Sequence, residues 1–274
     1  MVTLDGAVLS RYRAFTRYNS PYPAHDEGRA IDLYPEYGAP SPVAGRVVDT
    51  LTVRAPVRAY AEANDHLIVV DTGEHLARLL HIDPGVEVGE QVEIGDDLGT
   101  LVRSGYFAPW VDNHIHLGFR PPDADPVRAA GSLPVDLAVT VRPVTWTGRG
   151  TVVEQEPTYV VLDTPGHPDP GNRFAGVGDS GAVIDGGVPH YQGGGLLAGS
   201  DGPVLLAGSR VGEASGRSVT WDPIEIRANG QPVTGVSLAC YRDRLGVKLV
   251  SWDGIDVGLG DTVEVTVHSR DRRA

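Results

Sequence analysis

The chain has 274 residues, 41% of them apolar and 22% charged, which is enough apolar material to bury a core in one large or two ordinary domains. Glycine (35 residues) and proline (21) are abundant, which disfavours long helices and suits a loop-rich β protein. A formal net charge of −13 repels phosphate backbones and sets nucleic acid aside as a partner, and no apolar run reaches the roughly 18 residues of a membrane helix.

The N-terminal stretch MVTLDGAVLSRYRAF lacks the charged start, apolar core and small-residue cleavage site of a secretory signal. The expected location is therefore cytoplasmic by default, with an extracellular one left open. A single cysteine, Cys240, excludes an internal disulfide and a cysteine-based metal cluster. Short apolar or alternating runs broken by Gly, Pro and Asp predict strands over 45–53, 66–71, 77–82, 91–94, 98–103 and 114–120. The one amphipathic stretch with helical spacing is 57–64, with Pro56 as a first-turn proline. After a Pro- and Asp-rich loop over 121–126 and a short segment over 135–141, a second strand set follows. It covers 150–153, 159–163, 203–207, 218–221, 224–228, 245–251 and 262–268, with a glycine-dense tract over 166–202 that reads as loops. The predicted architecture is all-β and antiparallel, with one domain over 1–140 and a second β-rich domain over 141–274.

Five of the nine histidines fall in a telling order. His25 and Asp32 lie in PAHDEGRAIDLY, His81 in LARLLHIDPG, and His114 and His116 in NHIHLGFR. Residues two apart on a strand share a face, so His114 and His116 project side by side from one surface. Two imidazoles and a carboxylate with an open fourth position suit a catalytic zinc, which activates water near neutral pH. Further histidines beside it can exchange protons, because imidazole titrates in the physiological range. Asp26 and Glu27 adjoin His25 as competing oxygen ligands or as surface acids. Asp112 and Asn113 stand where they can hydrogen-bond a histidine's outer nitrogen. Tyr106, Phe107 and Trp110 precede the motif as groove-lining or core aromatics.

The order of these residues resembles that of the lysostaphin-like, LytM-type zinc metallopeptidases over about residues 22–120. The resemblance includes His25 and Asp32, the series Gly38, Pro40, Ala44, Gly45 and Val47, then His81. It continues through Val88, Gly89, Val92, Gly95 and Gly99 to Ser104-Gly105 and His114-Ile-His116. It implies a β-sheet groove walled by loops, with His25, Asp32 and His116 as zinc ligands and His81 and His114 as catalytic histidines. It also implies hydrolysis of peptide bonds in short, cell-wall-type peptides. Two positions depart from the usual pattern. Six residues rather than three separate His25 from Asp32, and Ile115 replaces the leucine of His-Leu-His.

Other readings compete. Biotinyl and lipoyl carriers share the rhythm of residues 42–47 and 86–92, yet they need a hairpin lysine, and the sole lysine here is Lys248. Gly178-Asp179-Ser180-Gly181 resembles the nucleophile loop of trypsin-like proteases, without the upstream histidine motif. His167, Asp185 and His190 are candidates for a second metal or polar site in the glycine-dense tract. A non-catalytic, zinc-containing binding protein on a peptidase scaffold is the alternative function, although neither His81 nor His114 would be needed to hold a metal.

Overall fold

The computed structural model describes residues 1–128, 130–179 and 181–270. Among them strand dominates, and α-helix is confined to the single turns Gly6–Leu9 and Pro23–Asp26. The all-β, mainly antiparallel class expected from the sequence is the one observed. The chain divides into two compact units: residues 1–15 with 27–139, and residues 16–26 with 140–274. Segment 16–26, expected in the first domain, thus groups with the second part of the chain.

The first unit is built on an antiparallel sheet with strands in the order Gln91–Val92, Gly45–Arg54, Asn64–Asp71, Leu76–Leu80, Ile115–Arg120 and Ala30–Tyr34. Side chains alternate between faces, so cross-strand partners form rows. One row runs Ile68, Leu79, Leu117 and Ile31, all fully buried, and forms the centre of the core face. The next row, Leu67, Leu80, His116 and Asp32, lies on the opposite face. A one-residue slip would exchange the two rows, so the apolar alternation itself fixes where the histidines emerge.

Two expectations in this unit are corrected. Residues 57–64 form no helix; 57–63 lie in the connection between strands Gly45–Arg54 and Asn64–Asp71, which Ala55 N closes by donating to Ala63 O at 3.0 Å, and Asn64 opens the second strand. Eight residues barely cover the cost of helix nucleation, and the exposed Val57 supplies no docking face. The strand expected over 77–82 breaks at His81, which takes the left-handed conformation at φ 71°. The chain resumes as Ile82–Pro84, paired antiparallel with Gly99–Leu101.

In the second unit a long antiparallel series passes from Arg149–Glu156 through Tyr159–Leu162, Val247–Val250 and Gly235–Leu238. It continues through Ala182–Val188, Gly193–Leu196, Ser218–Trp221 and Ser209–Ser215 to Gly202–Leu206. Trp146, Leu162, Val188, Val236, Val247 and Leu249 contribute to its core. Lys248 sits on a buried strand with its ammonium 4.2 Å from the Tyr159 ring centroid, far from a carrier's hairpin tip. Cys240 is buried too, and burial pushes its thiol pKa up.

The glycine-dense tract is not the set of loops expected. It contains the strands Phe174–Asp179, Ala182–Val188 and Gly193–Leu196. Glycine is required there because large rings occupy the space of its missing side chains. A Cβ on Gly194 would collide with the Trp221 ring, and one on Gly195 with the Tyr18 ring. The neighbouring Asp185 is fully buried and secures residues 16–18. It accepts from the Thr16 hydroxyl, from Arg17 N at 2.6 Å and from Tyr18 N at 3.3 Å. Burial raises its pKa to about 6, against the lowering pull of those donors. Gly194→Ala is therefore expected to cost about 2–3 kcal/mol of stability in urea unfolding, by overpacking. Gly166→Ala, in the same tract but with nothing within 4 Å, should stay within about 0.5 kcal/mol of the parent.

Candidate metal centre

His116 and Asp32 face each other across adjacent strands, with His116 Nδ1 2.9 Å from Asp32 Oδ1. Ile115, between the two motif histidines, points to the opposite face and is fully buried opposite Leu33. His114 precedes the strand. Its Nδ1 donates to the Asp112 carbonyl at 2.8 Å, since a carbonyl only accepts, and its Nε2 stands 3.6 Å from Asp32 Oδ2. Asp112 therefore does act on a histidine, through its backbone. Its carboxylate instead meets Arg13 at 3.1 Å.

His25 sits on the turn Pro23–Asp26 and is almost wholly buried. Its Nδ1 donates to the Arg17 carbonyl at 2.7 Å, which leaves Nε2 with the lone pair a metal requires. His25, Asp32 and His116 are the described residues grouped as candidates for holding a metal ion. Two imidazole nitrogens and one carboxylate oxygen are a donor set that fits zinc. Asp26 and Glu27 are exposed, and Glu27 pairs with Arg29.

His81 is held by a residue that sequence reasoning missed. Asp65, 1% exposed, places Oδ2 2.7 Å from His81 Nδ1 and 2.7 Å from the Ser104 hydroxyl, while its Oδ1 accepts from His66 N at 2.8 Å. Burial raises the Asp65 pKa, but the His81 hydrogen bond and charge, Ser104 and the His66 amide outweigh it, so it titrates below its usual 3.8. A carboxylate so placed fixes the imidazole's tautomer and turns Nε2 outward. The only trace in the sequence was the Asp65-His66 pair at the edge of a predicted strand, 16 residues from His81, a spacing without pattern.

The histidine rings form one group, with centroids 5.1 Å apart for His81 and His114 and 6.1 Å for His81 and His116. Phe107 packs against both His81 (5.2 Å) and His114 (4.9 Å). Phe107 and Trp110 are buried, so they buttress the site rather than line a groove, whereas Tyr106 is exposed. His167, Asp185 and His190 do not form a metal group among the described residues. His167 instead bonds Tyr241 O and Asp169 N, and Asp185 holds residues 16–18. Of the Gly-Asp-Ser-Gly motif, Ser180 lies outside the described residues.

Residues 3–137 match the model described as Domain of unknown function (DUF8155) N-terminal domain, and residues 142–268 match that of its C-terminal domain. The chain belongs to the DUF8155 family. No curated protein matches it. Among solved structures, LytU aligns with 19% identity over 45% of this chain and 81% of its own, at a TM-score of 0.31. The catalytic domain of the antimicrobial peptidase lysostaphin from Staphylococcus simulans aligns with 19% identity over 46% and 90%, at 0.28. Lysostaphin itself aligns with 17% identity over 93% of this DUF8155 chain and 96% of its own, also at 0.28. At such TM-scores the overlays decide no chemistry, and the residues of the site have to.

Asp65→Ala would strand His81 Nδ1 and the Ser104 hydroxyl, and is expected to cost about 2–4 kcal/mol at pH 7. The contribution of a depressed carboxyl is fully present above its unfolded pKa and is lost as pH falls through the folded one. The gap between parent and variant should therefore hold above about pH 4 and close in more acid solution, as read by denaturant titrations at several pH values.

Proposed function

We propose that this protein is a zinc-dependent metallopeptidase acting on short, cell-wall-type peptides, with His25, Asp32 and His116 as the metal ligands and His81 and His114 as the catalytic histidines. The observation that carries this reading is the orientation of the two non-ligand histidines. Each has its Nδ1 committed, one to a buried carboxylate and the other to a backbone carbonyl, and both rings stand beside the Asp32–His116 pair. A protein that merely stored a metal would need neither commitment.

Zinc, when bound, supplies Lewis acidity to a scissile carbonyl and to an attacking water. The remaining work belongs to the chain. Asp65 keeps a proton on His81 Nδ1, so His81 Nε2 is the atom that accepts or returns a proton. The Asp112 carbonyl does the same for His114, whose Nε2 faces the Asp32 carboxylate. As imidazolium, either ring also balances the charge that develops on the scissile oxygen. Phe107 keeps bulk water from the flanks of both rings, which strengthens these electrostatic effects.

The purified protein is expected to hold one zinc per chain by elemental analysis, and a metal-free protein after zinc-replete purification would sink the assignment. His116→Ala should abolish metal binding, whereas His114→Ala should keep the metal; equal loss in both would mean the roles are misassigned. His81→Ala should retain zinc yet hydrolyse a peptide panel at least about a hundredfold more slowly, the usual scale for a lost general acid or base.

A further inference from the structure

The strand row that carries Asp32 and His116 continues beyond His116 as a run of leucines. His116 stands opposite Leu80, Leu80 opposite Leu67, and Leu67 opposite Leu51, on four successive strands. Cross-strand partners share a face, so these leucines lie on the face that presents the two proposed ligands. Strands lie about 4.8 Å apart, which puts Leu80 beside His116 and Leu51 about 14 Å from it. Val53, two residues beyond Leu51 on the same strand and face, is 38% exposed.

Burial across this face is uneven. The adjoining row, Val69, Arg78, Gly118 and Ala30, is buried throughout. Next along, Arg120 is buried and donates to the Ser132 hydroxyl and to Arg128 O. In the leucine row only Leu67 and Asp32 are buried, whereas Leu51, Leu80 and His116 are half-buried. Leu51 and Leu80 pack on the small cluster of Leu67, Val69 and Leu76 and still show part of their surface to solvent. A single exposed leucine needs no explanation. An apolar row that keeps some access to water and ends on the ligands is different, because binding sites join a mostly apolar wall to a few polar groups.

We propose that Leu80, with Leu51 and Val53 beyond it, sets substrate choice at this site by receiving an apolar side chain of the peptide. The inference rests on the peptidase reading and names its substrate class, peptides with a leucine-like residue near the scissile bond rather than glycine chains. An extended peptide rises about 3.3 Å per residue, and its same-side residues lie about 7 Å apart. A chain laid across the strands with a bond at His116 therefore sets the side chain one or two residues away over Leu80 and Leu67. Glycine at that place would leave the leucines in water. Only a substrate with an apolar side chain gains by covering them.

The test uses the full-length, zinc-replete protein and a short glycine–serine peptide that carries one leucine at each position in turn. Hydrolysis is followed by mass spectrometry and binding by calorimetry. At one position or more, leucine should raise kcat/KM at least about tenfold over the unsubstituted peptide, the scale of burying an apolar side chain. Leu80→Ala should cut this ratio to about threefold or less, whereas Leu80→Met, apolar and close in volume, should keep it. A ratio taken within one protein cancels any general loss of turnover. Should Leu80→Ala not fold, as read by its melting temperature, Leu80→Thr supplies the comparison with a good strand former. Hydrolysis at equal rates of all peptides, or an unchanged ratio in the folded variant, would overturn the inference and leave the peptidase reading standing. Tighter binding of a leucine peptide without hydrolysis would support the apolar site and count against the peptidase reading. Equal binding without hydrolysis would overturn both.

Discussion

The register of strand Ile115–Arg120 between Ala30–Tyr34 and Leu76–Leu80 is the constraint on which the site depends. With Leu117 locked in the core row between Leu79 and Ile31, His116 has to face Asp32. Burial of apolar area holds this arrangement, at about 25 cal/mol per Å². His116 and Asp32 inherit their place from it. Arg78, Gly118 and Arg120 are fixed in the same way, by the pairing of strand Ile115–Arg120 with Leu76–Leu80.

The second unit rests on a different device. Gly194 and Gly195 let the Trp221 and Tyr18 rings lie directly on the backbone of a strand, and Asp185 on the adjoining strand captures residues 16–18. Asn19 adds bonds to the Ser237 hydroxyl (2.8 Å) and Leu238 O (3.0 Å). His25 sits farther along this same segment and bonds back to Arg17 O. The seat of one proposed ligand is thus set by a carboxylate 160 residues away in sequence, beyond the reach of any local pattern.

What could be read from the sequence follows from this physics. Strands with clear alternation, such as 224–228, were legible because their two faces meet different environments. The short strands Ala14–Thr16 and Ala30–Tyr34 were not, since they are buried almost throughout and carry no alternation. The glycine tract misled because glycine in isolation signals a turn, and only the distant Trp221 and Tyr18 explain it as strand. At the candidate site, His116 and Asp32, from two separated motifs in the sequence, face each other across paired strands. Asp65, by contrast, reaches His81 only after the chain has folded. The aromatics before His114 could be core or groove, and burial of Phe107 and Trp110 decides for core.

His81 combines an imidazole with a left-handed backbone, at φ 71° between two strands. For most L-residues this conformation costs about 1–2 kcal/mol, and only glycine, asparagine and aspartate enter it readily. Position 81 therefore carries a backbone demand that is separate from the role proposed for its imidazole. An asparagine or glycine there would ease the backbone and remove the imidazole, so such a change separates the fold of this turn from the chemistry proposed for it.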